Sequence, residues 1–156
     1  MSSKISALTT GTTASTADKI PIERGGANYY LTPPMVRARP VTSTAISASL
    51  TSADMLGFIL VTAADKVITL PAASSSTAGM MVTVALSSAG LSASTGLQVS
   101  PAAADKIMGN GITSADNKDL ILSGATDREG DSVTLICDGV DGWYIAAIVG
   151  TWAREA

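Results

Sequence analysis

The densest group of reactive side chains lies in the segment TDREGD, residues 126–131, where three carboxylates surround Arg128. Carboxylates this close together could ligate a cation or act as a pair in acid–base chemistry. Their spacing does not match the twelve-residue register of an EF-hand or its terminal glutamate. We therefore interpret the segment as a solvated acidic loop that precedes a strand, and a cation site is the alternative.

A second acidic segment, DGVDG at residues 138–142, contains two Asp-Gly pairs, which favour a hairpin turn over a calcium site. Catalysis has little support elsewhere, because the chain contains no histidine, the commonest general base and metal ligand. The glycine-rich segments at 24–28 and 109–111 lack the strand-to-helix context and the Lys-Ser/Thr pair of a phosphate loop. We predict a protein that is not an enzyme and needs no metal or cofactor.

The composition also excludes several classes of partner. The chain has 156 residues, a net charge of −3 and basic residues that occur singly. A nucleic-acid-binding or membrane-binding surface would need clustered lysine and arginine. No apolar run approaches the ~20 residues of a membrane span, and the N-terminal MSSKISALTTGTTAST lacks the apolar core of a signal peptide. We therefore expect no nucleic-acid partner, no membrane partner, and synthesis in the cytoplasm.

Short runs of β-branched residues bounded by Gly, Pro, Asp and Ser predict an all-β fold. The best helical candidate, TAISASLTSADMLGFIL, is rich in Ser and Thr and is interrupted by Gly57. Aromatic residues make up only 4% of the chain, so aliphatic side chains, together with the lone Cys137, are expected to fill the core. The predicted strands are Ile20–Glu23, Tyr29–Thr32, Phe58–Thr62, Val67–Leu70, Met80–Ala85, Leu97–Val99, Leu120–Leu122, Val133–Cys137 and Trp143–Val149.

Two parts of the chain differ in composition. Residues 1–40 begin with a Ser/Thr-rich lead and continue as DKIPIERGGANYYLTPP, which predicts an extended arm with a small strand–turn–strand unit. Gly25-Gly26 suits the tight turn, and Pro33-Pro34 ends the pairing. Residues 41–156 are predicted to form one compact antiparallel β-sandwich or barrel-like domain.

Tyr29 and Tyr30 are adjacent on the second strand of the predicted hairpin, so their side chains are expected on opposite faces. One of them can cap the small core of the hairpin itself. An exposed tyrosine beside a proline pair is also a suitable anchor for docking on another protein. The two roles remain alternatives at this point.

A short pattern recurs along the chain. ADK followed by Ile or Val places Asp18, Asp65 and Asp105 next to predicted strands, and SAD occurs at 52–54 and 114–116. Aspartate can fold back onto its own backbone and mark the start of a strand. The spacings of the three ADK aspartates, 47 and 40 residues, are too irregular for a solenoid. We interpret the pattern as repeated turn chemistry, with internal duplication as the alternative.

The segment DGWYIAAIVGTW, residues 141–152, follows the predicted hairpin turn and is apolar at nearly every position. In strict alternation Ile145 and Val149 would share one face and Ile148 would lie on the opposite face. A strand at the solvent surface should alternate apolar and polar residues, so both faces of this strand are expected to be covered, one of them by another subunit. Trp143 is expected in the core and Trp152 at a subunit seam. The predicted core and interface residues are Ile136, Trp143, Tyr144, Ile145, Ile148, Val149 and Trp152.

The sequence KISALTTGTTASTADKIPIERGGANYYLTPP resembles the N-terminal segment of many bacteriophage tail-fibre and related virion proteins, in which an IS-x-L and a D-x-I-P-I-x-x-G-G stretch precede a short hairpin. The rest of the chain is similar to β-rich modules of phage fibres and head-decoration proteins, with Leu70-Pro71, Gly79 and the closing Trp143-Tyr144 hairpin. The resemblance implies that the N-terminal segment docks on the particle. The residues assigned to this attachment arm are Ile5, Leu8, Asp18, Ile20, Pro21, Ile22, Gly25, Gly26, Tyr29 and Tyr30.

This resemblance implies a non-enzymatic virion structural protein, tail-fibre-like and homotrimeric, attached to other phage proteins through residues 1–40 and trimerising through residues 41–156. A capsid decoration protein that stabilises the phage head is the first alternative, with the arm clamping neighbouring capsid subunits. A module that binds a host surface glycan is the second. Sugar sites favour exposed aromatic residues and, for hydrolysis, a carboxylate pair, and the chain has one Phe, three Tyr and two Trp.

Overall fold

The computed structural model describes the backbone of residues 20–24 and 27–31, and residues 41–91 and 96–156. Within these ranges the chain forms β-strands and two short 3-10 helices, Ser52–Asp54 and Ser88–Gly90. The expected all-β fold is confirmed. The segment with the best helical pattern contains the first of these short helices, between two strands. Among the described residues, no helix is both long enough and apolar enough to cross a membrane.

The chain divides into two units, residues 1–39 and 40–156. In the first unit, β1 (Ile20–Arg24) and β2 (Ala27–Leu31) pair antiparallel, so that Pro21 lies opposite Tyr30 and Ile22 lies opposite Tyr29. The predicted pairing of these two strands is confirmed. Of the residues assigned to the attachment arm, the following lie outside the described residues: Ile5, Leu8, Asp18, Gly25 and Gly26.

The second unit consists of two β-sheets. The six-stranded sheet contains, in spatial order, β3 (Val41–Thr44), β5 (Phe58–Val61), β7 (Met81–Leu86), β11 (Ser132–Cys137), β12 (Gly142–Val149) and β9 (Lys106–Met108). The five-stranded sheet contains β13 (Trp152–Arg154), β10 (Leu120–Leu122), β8 (Gln98–Ser100), β6 (Val67–Thr69) and β4 (Ala48–Ser49).

Four of these strands, β3, β4, β9 and β13, are absent from the predicted set. Each is two to four residues long and mixes small or polar residues with apolar ones. Their extended backbone depends on pairing with strands far along the chain, which composition alone does not indicate. The remaining strands coincide with predicted ones apart from small shifts at their ends.

From β3 to β8 the chain alternates between the two sheets. Each of the strands from β5 to β8 pairs in parallel with the strand two positions earlier in the chain. The result is a short parallel spiral with turns of unequal length. Val41 pairs with Phe58, 17 residues later, and Phe58 pairs with Thr83, 25 residues later. The spacings of the ADK aspartates predicted no repeat of fixed period, and the turns of this spiral have none, because loops of different lengths return the chain to the same neighbouring position.

After β8 the chain changes its direction of pairing. Strands β10, β11, β12 and β13 form antiparallel pairs, and β9 pairs in parallel with β12 at the edge of the six-stranded sheet. Both sheets are consequently mixed, whereas an antiparallel domain was expected. Hairpin signals such as DGVDG are local and visible in the sequence, but the parallel pairs join segments separated by long connections.

One apolar core lies between the two sheets. Trp143, with no accessible surface, is its largest side chain, and its indole Nε1 donates a hydrogen bond to the Pro71 carbonyl at 3.2 Å. Cys137 is unpaired and buried in this core, as expected. Both sheets contribute to the same cluster of buried side chains, which includes Ile59, Val61, Val82, Val84, Leu86, Val133 and Leu135 from one sheet and Ile68, Val99, Leu120 and Leu122 from the other.

Two of the ADK aspartates stabilise the spiral. Asp65 Oδ1 accepts a hydrogen bond from the Gly96 N–H at 3.0 Å, and Asp105 Oδ2 accepts one from the Ala73 N–H at 2.7 Å. These bonds join positions 31 and 32 residues apart, whereas a local turn was expected. In contrast, the Asp54 carboxylate does accept bonds from a residue only three positions away.

Gly96 is a point of close approach between neighbouring strands. Its φ is +79°, and a Cβ atom there would overlap the Leu122 carbonyl oxygen. We expect Gly96→Ala to lower the free energy of unfolding by roughly 2–4 kcal/mol, since it adds an overlap to an unfavourable φ. Gly79→Ala is the matched control, because Gly79 has φ +75° with no atom near the Cβ position. We expect it to lower stability by about 1–2 kcal/mol. Urea denaturation measures the free energy of unfolding of both variants. An equal loss of stability in the two would show that the close approach of Leu122 at Gly96 does not matter.

Candidate assembly surface

The β11–β12 hairpin carries most of the predicted interface residues, and Asp138 closes its turn. Asp138 Oδ1 accepts hydrogen bonds from the N–H groups of Val140 at 2.8 Å, Asp141 at 3.0 Å and Gly142 at 3.0 Å. These bonds, with the one from Val140 foremost, hold the pKa of Asp138 below its ordinary value, because each favours the charged carboxylate. The DGVDG segment is thus the predicted hairpin turn.

A β-bulge in β12 decides which of its apolar residues face the core. The pairing register between β11 and β12 shifts at Ala146, which has no partner of its own on β11. Because of this extra residue, each side chain that follows it in β12 points to the opposite face of the sheet from the one that strict alternation predicts. Ile145 and Ile148 therefore both pack against the core, although strict alternation put them on opposite faces. Val149, expected on the same face as Ile145, lies on the opposite one.

Trp152 is buried within its own chain. Its side chain is 8% exposed and belongs to the core cluster, and its Nε1 donates to the Val149 carbonyl at 2.8 Å. It lies opposite Leu122 in the five-stranded sheet. The expectation of a subunit seam at Trp152 is corrected, because the chain crosses from one sheet to the other after Gly150 and directs the indole inward.

The surface of the six-stranded sheet that points away from the core, which we call the outer face, consists of three rows of side chains across the strands. The first row contains Met81, Ile136, Tyr144 and Met108. The second row contains Val41, Phe58, Thr83, Thr134 and Ala147. The third row contains Ser43, Leu60, Ala85, Ser132 and Val149. Their neighbours along the central strands are buried, which assigns these rows to the outside. Ala85 is an exception within the third row, because it is only 3% exposed and so is already covered by its own chain.

Large apolar side chains of the outer face are open to solvent. Val41 is 67% exposed, Val149 55%, Tyr144 50% and Ile136 37%. Ile136 and Tyr144 are direct partners in the first row, and the half-buried Met81 lies beside Ile136. Val149 lies in the third row, and Val41 lies on β3 at the opposite edge of the sheet, beside the half-buried Phe58. Several large apolar side chains exposed on one sheet surface are typical of a site of protein association.

Two hydroxyls at the centre of the outer face are already satisfied. The hydroxyls of Thr83 and Thr134, which lie side by side in the second row, hydrogen bond to each other at 2.9 Å. The charged residue at the margin, Lys106 on β9, lies 3.5 Å from the Asp116 carboxylate. The three rows themselves contain no charged residue. Covering the three rows therefore desolvates no charged group, but it does desolvate the hydroxyls of Ser43, Ser132 and Tyr144.

The outward surface of the five-stranded sheet differs in chemistry. Thr69, Gln98 and Ser100 occupy outward positions on β6 and β8. Polar side chains at these positions suit contact with water. The apolar residues that face outward on the central strands, Val67 on β6 and Ile121 on β10, are half-buried. The contrast between the two surfaces makes the outer face of the six-stranded sheet the better candidate for assembly.

The acidic loop at residues 126–131 lies beyond the third row. Asp131 is buried, and its Oδ2 accepts a hydrogen bond from the Arg128 N–H at 2.8 Å. Arg128 and Glu129 are exposed. The loop is therefore only partly the solvated acidic segment that was expected. Within residues 41–91 and 96–156, no three side chains of the His, Cys, Asp and Glu types lie together in a way that could hold a metal ion.

The seven residues predicted for the core and interface divide between two surfaces. Ile136, Tyr144 and Val149 lie together on the outer face, whereas the remaining four pack in or against the core: Trp143, Ile145, Ile148 and Trp152. Sequence reasoning missed five large residues of the outer face: Val41, Phe58, Leu60, Met81 and Met108. Alternate positions in the FILV segment of β5 could have indicated two of them. That run is apolar throughout, however, so the sequence does not show which side faces the core.

The turn carboxylate of Asp138 makes stability dependent on pH. A lowered pKa in the folded state means that the ionised group stabilises the fold above the pKa of the unfolded chain, and that this contribution is lost as pH falls through the folded-state pKa. We expect Asp138→Asn to lower the urea midpoint at pH 7, and the difference from the unchanged protein to shrink below about pH 4.

Asp141→Asn is the control for this prediction. Asp141 lies in the same turn, and its carboxylate accepts no hydrogen bond from the described residues. Urea titrations of both variants between pH 7 and pH 3 make the comparison. A pH-independent difference at Asp138, or an equal effect at Asp141, would show that the three N–H bonds do not stabilise the charged turn.

Comparison with known proteins leaves the geometry of the outer face as the main guide to function. No protein-family model matches the chain. No curated protein sequence is significantly similar to it either.

Proposed function

We propose that this chain is a non-enzymatic structural protein of a bacteriophage particle, tail-fibre-like, that assembles as a homotrimer through the outer face. The observation that carries the proposal is the exposed, uncharged, apolar surface formed by three rows of side chains on one sheet. A second copy of the chain has the same apolar surface, so the two surfaces can pack against each other. Three such sheets around a common axis enclose a shared apolar core.

The energetics support association through this surface. The rows cross four or five strands about 4.8 Å apart and are therefore roughly 14 to 19 Å long. Three rows two residues apart span roughly 14 Å, so the outer face covers roughly 250 Å². At about 25 cal/mol per Å² its burial would contribute several kcal/mol per subunit. A standard interface buries about 800 Å² on each partner. The complete contact between subunits must therefore also use surface beyond the edges of the outer face.

The assignment to a phage particle is supported by the resemblance of the N-terminal sequence to virion attachment segments. Residues 1–40 would hold the protein on other virion proteins, and residues 41–156 would provide the trimer. A capsid decoration protein would use the same trimer, so the position of the protein on the particle distinguishes the two. Labelling at the tail or baseplate supports a fibre-like protein, and labelling at threefold positions of the capsid supports a decoration protein.

Trimer formation can be tested with one charge on the outer face. We expect Val41→Lys to abolish the trimer, because Val41 is exposed on the outer face and burying an ammonium group without a partner costs several kcal/mol. The matched control is Val140→Lys, which makes the same substitution at the tip of the hairpin, where Val140 is 79% exposed. Analytical ultracentrifugation measures the mass. A monomeric unchanged protein at micromolar concentration would refute the proposal, and a trimeric Val41→Lys variant would refute the role of the outer face.

The attachment role of the N-terminal segment can be tested by deletion. We expect a chain that lacks residues 1–35 to form the same oligomer but to be missing from purified particles, because the core and the outer face lie within residues 41–156. Western blotting of purified particles and ultracentrifugation of the isolated chain measure the two outcomes. Incorporation of the shortened chain would contradict the assignment of the arm.

A further inference from the structure

An apolar sheet surface does not by itself fix how two copies are aligned. Hydrophobic contact is non-directional, and neighbouring rows have similar chemistry, so copies could slip along one another. Protein interfaces fix their alignment with charged groups that must meet partners of opposite sign. A charged group at the margin of the outer face that has no partner within its own chain can therefore align a neighbouring copy.

The charged groups at two margins of the outer face differ in whether they already have a partner within the chain. At the β9 margin, Lys106 is engaged with Asp116 within the same chain. Beyond the third row, Arg128 and Glu129 are exposed, and neither side chain has a hydrogen-bond or ion-pair partner among the described residues. The two groups carry opposite charges on adjacent positions of one loop.

The backbone holds this loop in place. The Gly130 N–H donates to the Leu86 carbonyl at 2.9 Å, and the Leu86 N–H donates to the Asp131 carbonyl at 2.9 Å. The buried Asp131 carboxylate accepts the Arg128 N–H at 2.8 Å. The Asp131 carboxylate also lies against Gly150, where a Cβ atom would overlap it. The loop is thus preorganised, so placing its charged side chains against a neighbour costs little backbone entropy.

An open cavity of about 580 Å³ lies at the surface where this loop meets the end of β12. Its walls include Arg128 and Glu129 on one side and Val149 and Thr151 on the other. Val149 belongs to both the cavity and the third row of the outer face, so the apolar surface continues into a recess bordered by both charges. A copy that covers the outer face therefore also reaches this recess.

We propose that Arg128 of one subunit pairs with Glu129 of the next, and that this pair fixes the alignment of the subunits. The inference rests on the proposed self-assembly through the outer face, and it names the groups that make the contact specific. Both charges lie on one loop, so in a threefold ring each loop gives its Arg128 to one neighbour and its Glu129 to the other. The three loops then meet near the axis, and the ring closes with three equivalent pairs.

Charge reversal tests this pairing. Arg128→Glu places two acidic residues against each other at every contact, and Glu129→Arg does the same with two basic residues. We expect either single variant to raise the dissociation constant of the trimer by about tenfold or more in 50 mM salt, and the double variant Arg128→Glu/Glu129→Arg to return to within about threefold of the unchanged protein. In 1 M salt the differences should nearly vanish, because the Debye length falls to about 3 Å.

Arg154→Glu is the control, since it makes the same charge change on an exposed residue of β13 in the other sheet. Sedimentation over a dilution series measures the dissociation constants, and thermal melting checks that the variants remain folded. Unchanged constants in both single variants, or a double variant as weak as the singles, would overturn the pairing while leaving the trimer intact. A wild-type monomer would instead refute the proposed function itself.

Discussion

The antiparallel pairing of β7, β11 and β12 at the centre of the six-stranded sheet is the constraint on which the rest of the second unit depends. These three strands provide a large part of the buried core and a large part of the outer face, because alternate residues point in opposite directions. The bulge at Ala146 adjusts this division by moving Ile148 inward and Val149 outward. One local irregularity thereby satisfies the core and leaves an apolar residue where a neighbouring subunit could cover it.

The two surfaces of this sheet place different physical demands on the chain. The inner surface must be filled by side chains of fixed shape, and Trp143 meets this demand with its indole N–H hydrogen bonded to a backbone carbonyl. The outer face must stay soluble in the free subunit and still be easy to desolvate. Its threonine hydroxyls satisfy each other and its rows contain no charge, while charged groups lie at the margins. The charges thus lie at the rim, as they do in protein interfaces, while the centre of the middle row is a hydrogen-bonded pair of threonines.

Much of the local structure could be predicted from residue patterns. The DGVDG turn and its two flanking strands follow from Asp-Gly chemistry and β-branched runs, and Asp138 closes that turn as its type suggests. The strands β3, β4, β9 and β13 could not be found in this way, because they are short and depend on distant partners. The roles of Asp65 and Asp105 were equally hidden, since each carboxylate binds a backbone N–H more than thirty residues away.

The apolar character of the segment at 143–149 was determined by the sequence alone, as were the all-β class, the hairpin and the scarcity of groups able to do chemistry. Only the tertiary structure decided which apolar residues became core and which became surface. Ile145 and Ile148 pack inward together because a bulge interrupts the alternation, and Trp152 turns inward because the chain changes sheets after Gly150. Side-chain type determines the tendency to leave water. The direction in which a side chain points depends on register, which long-range strand pairing sets.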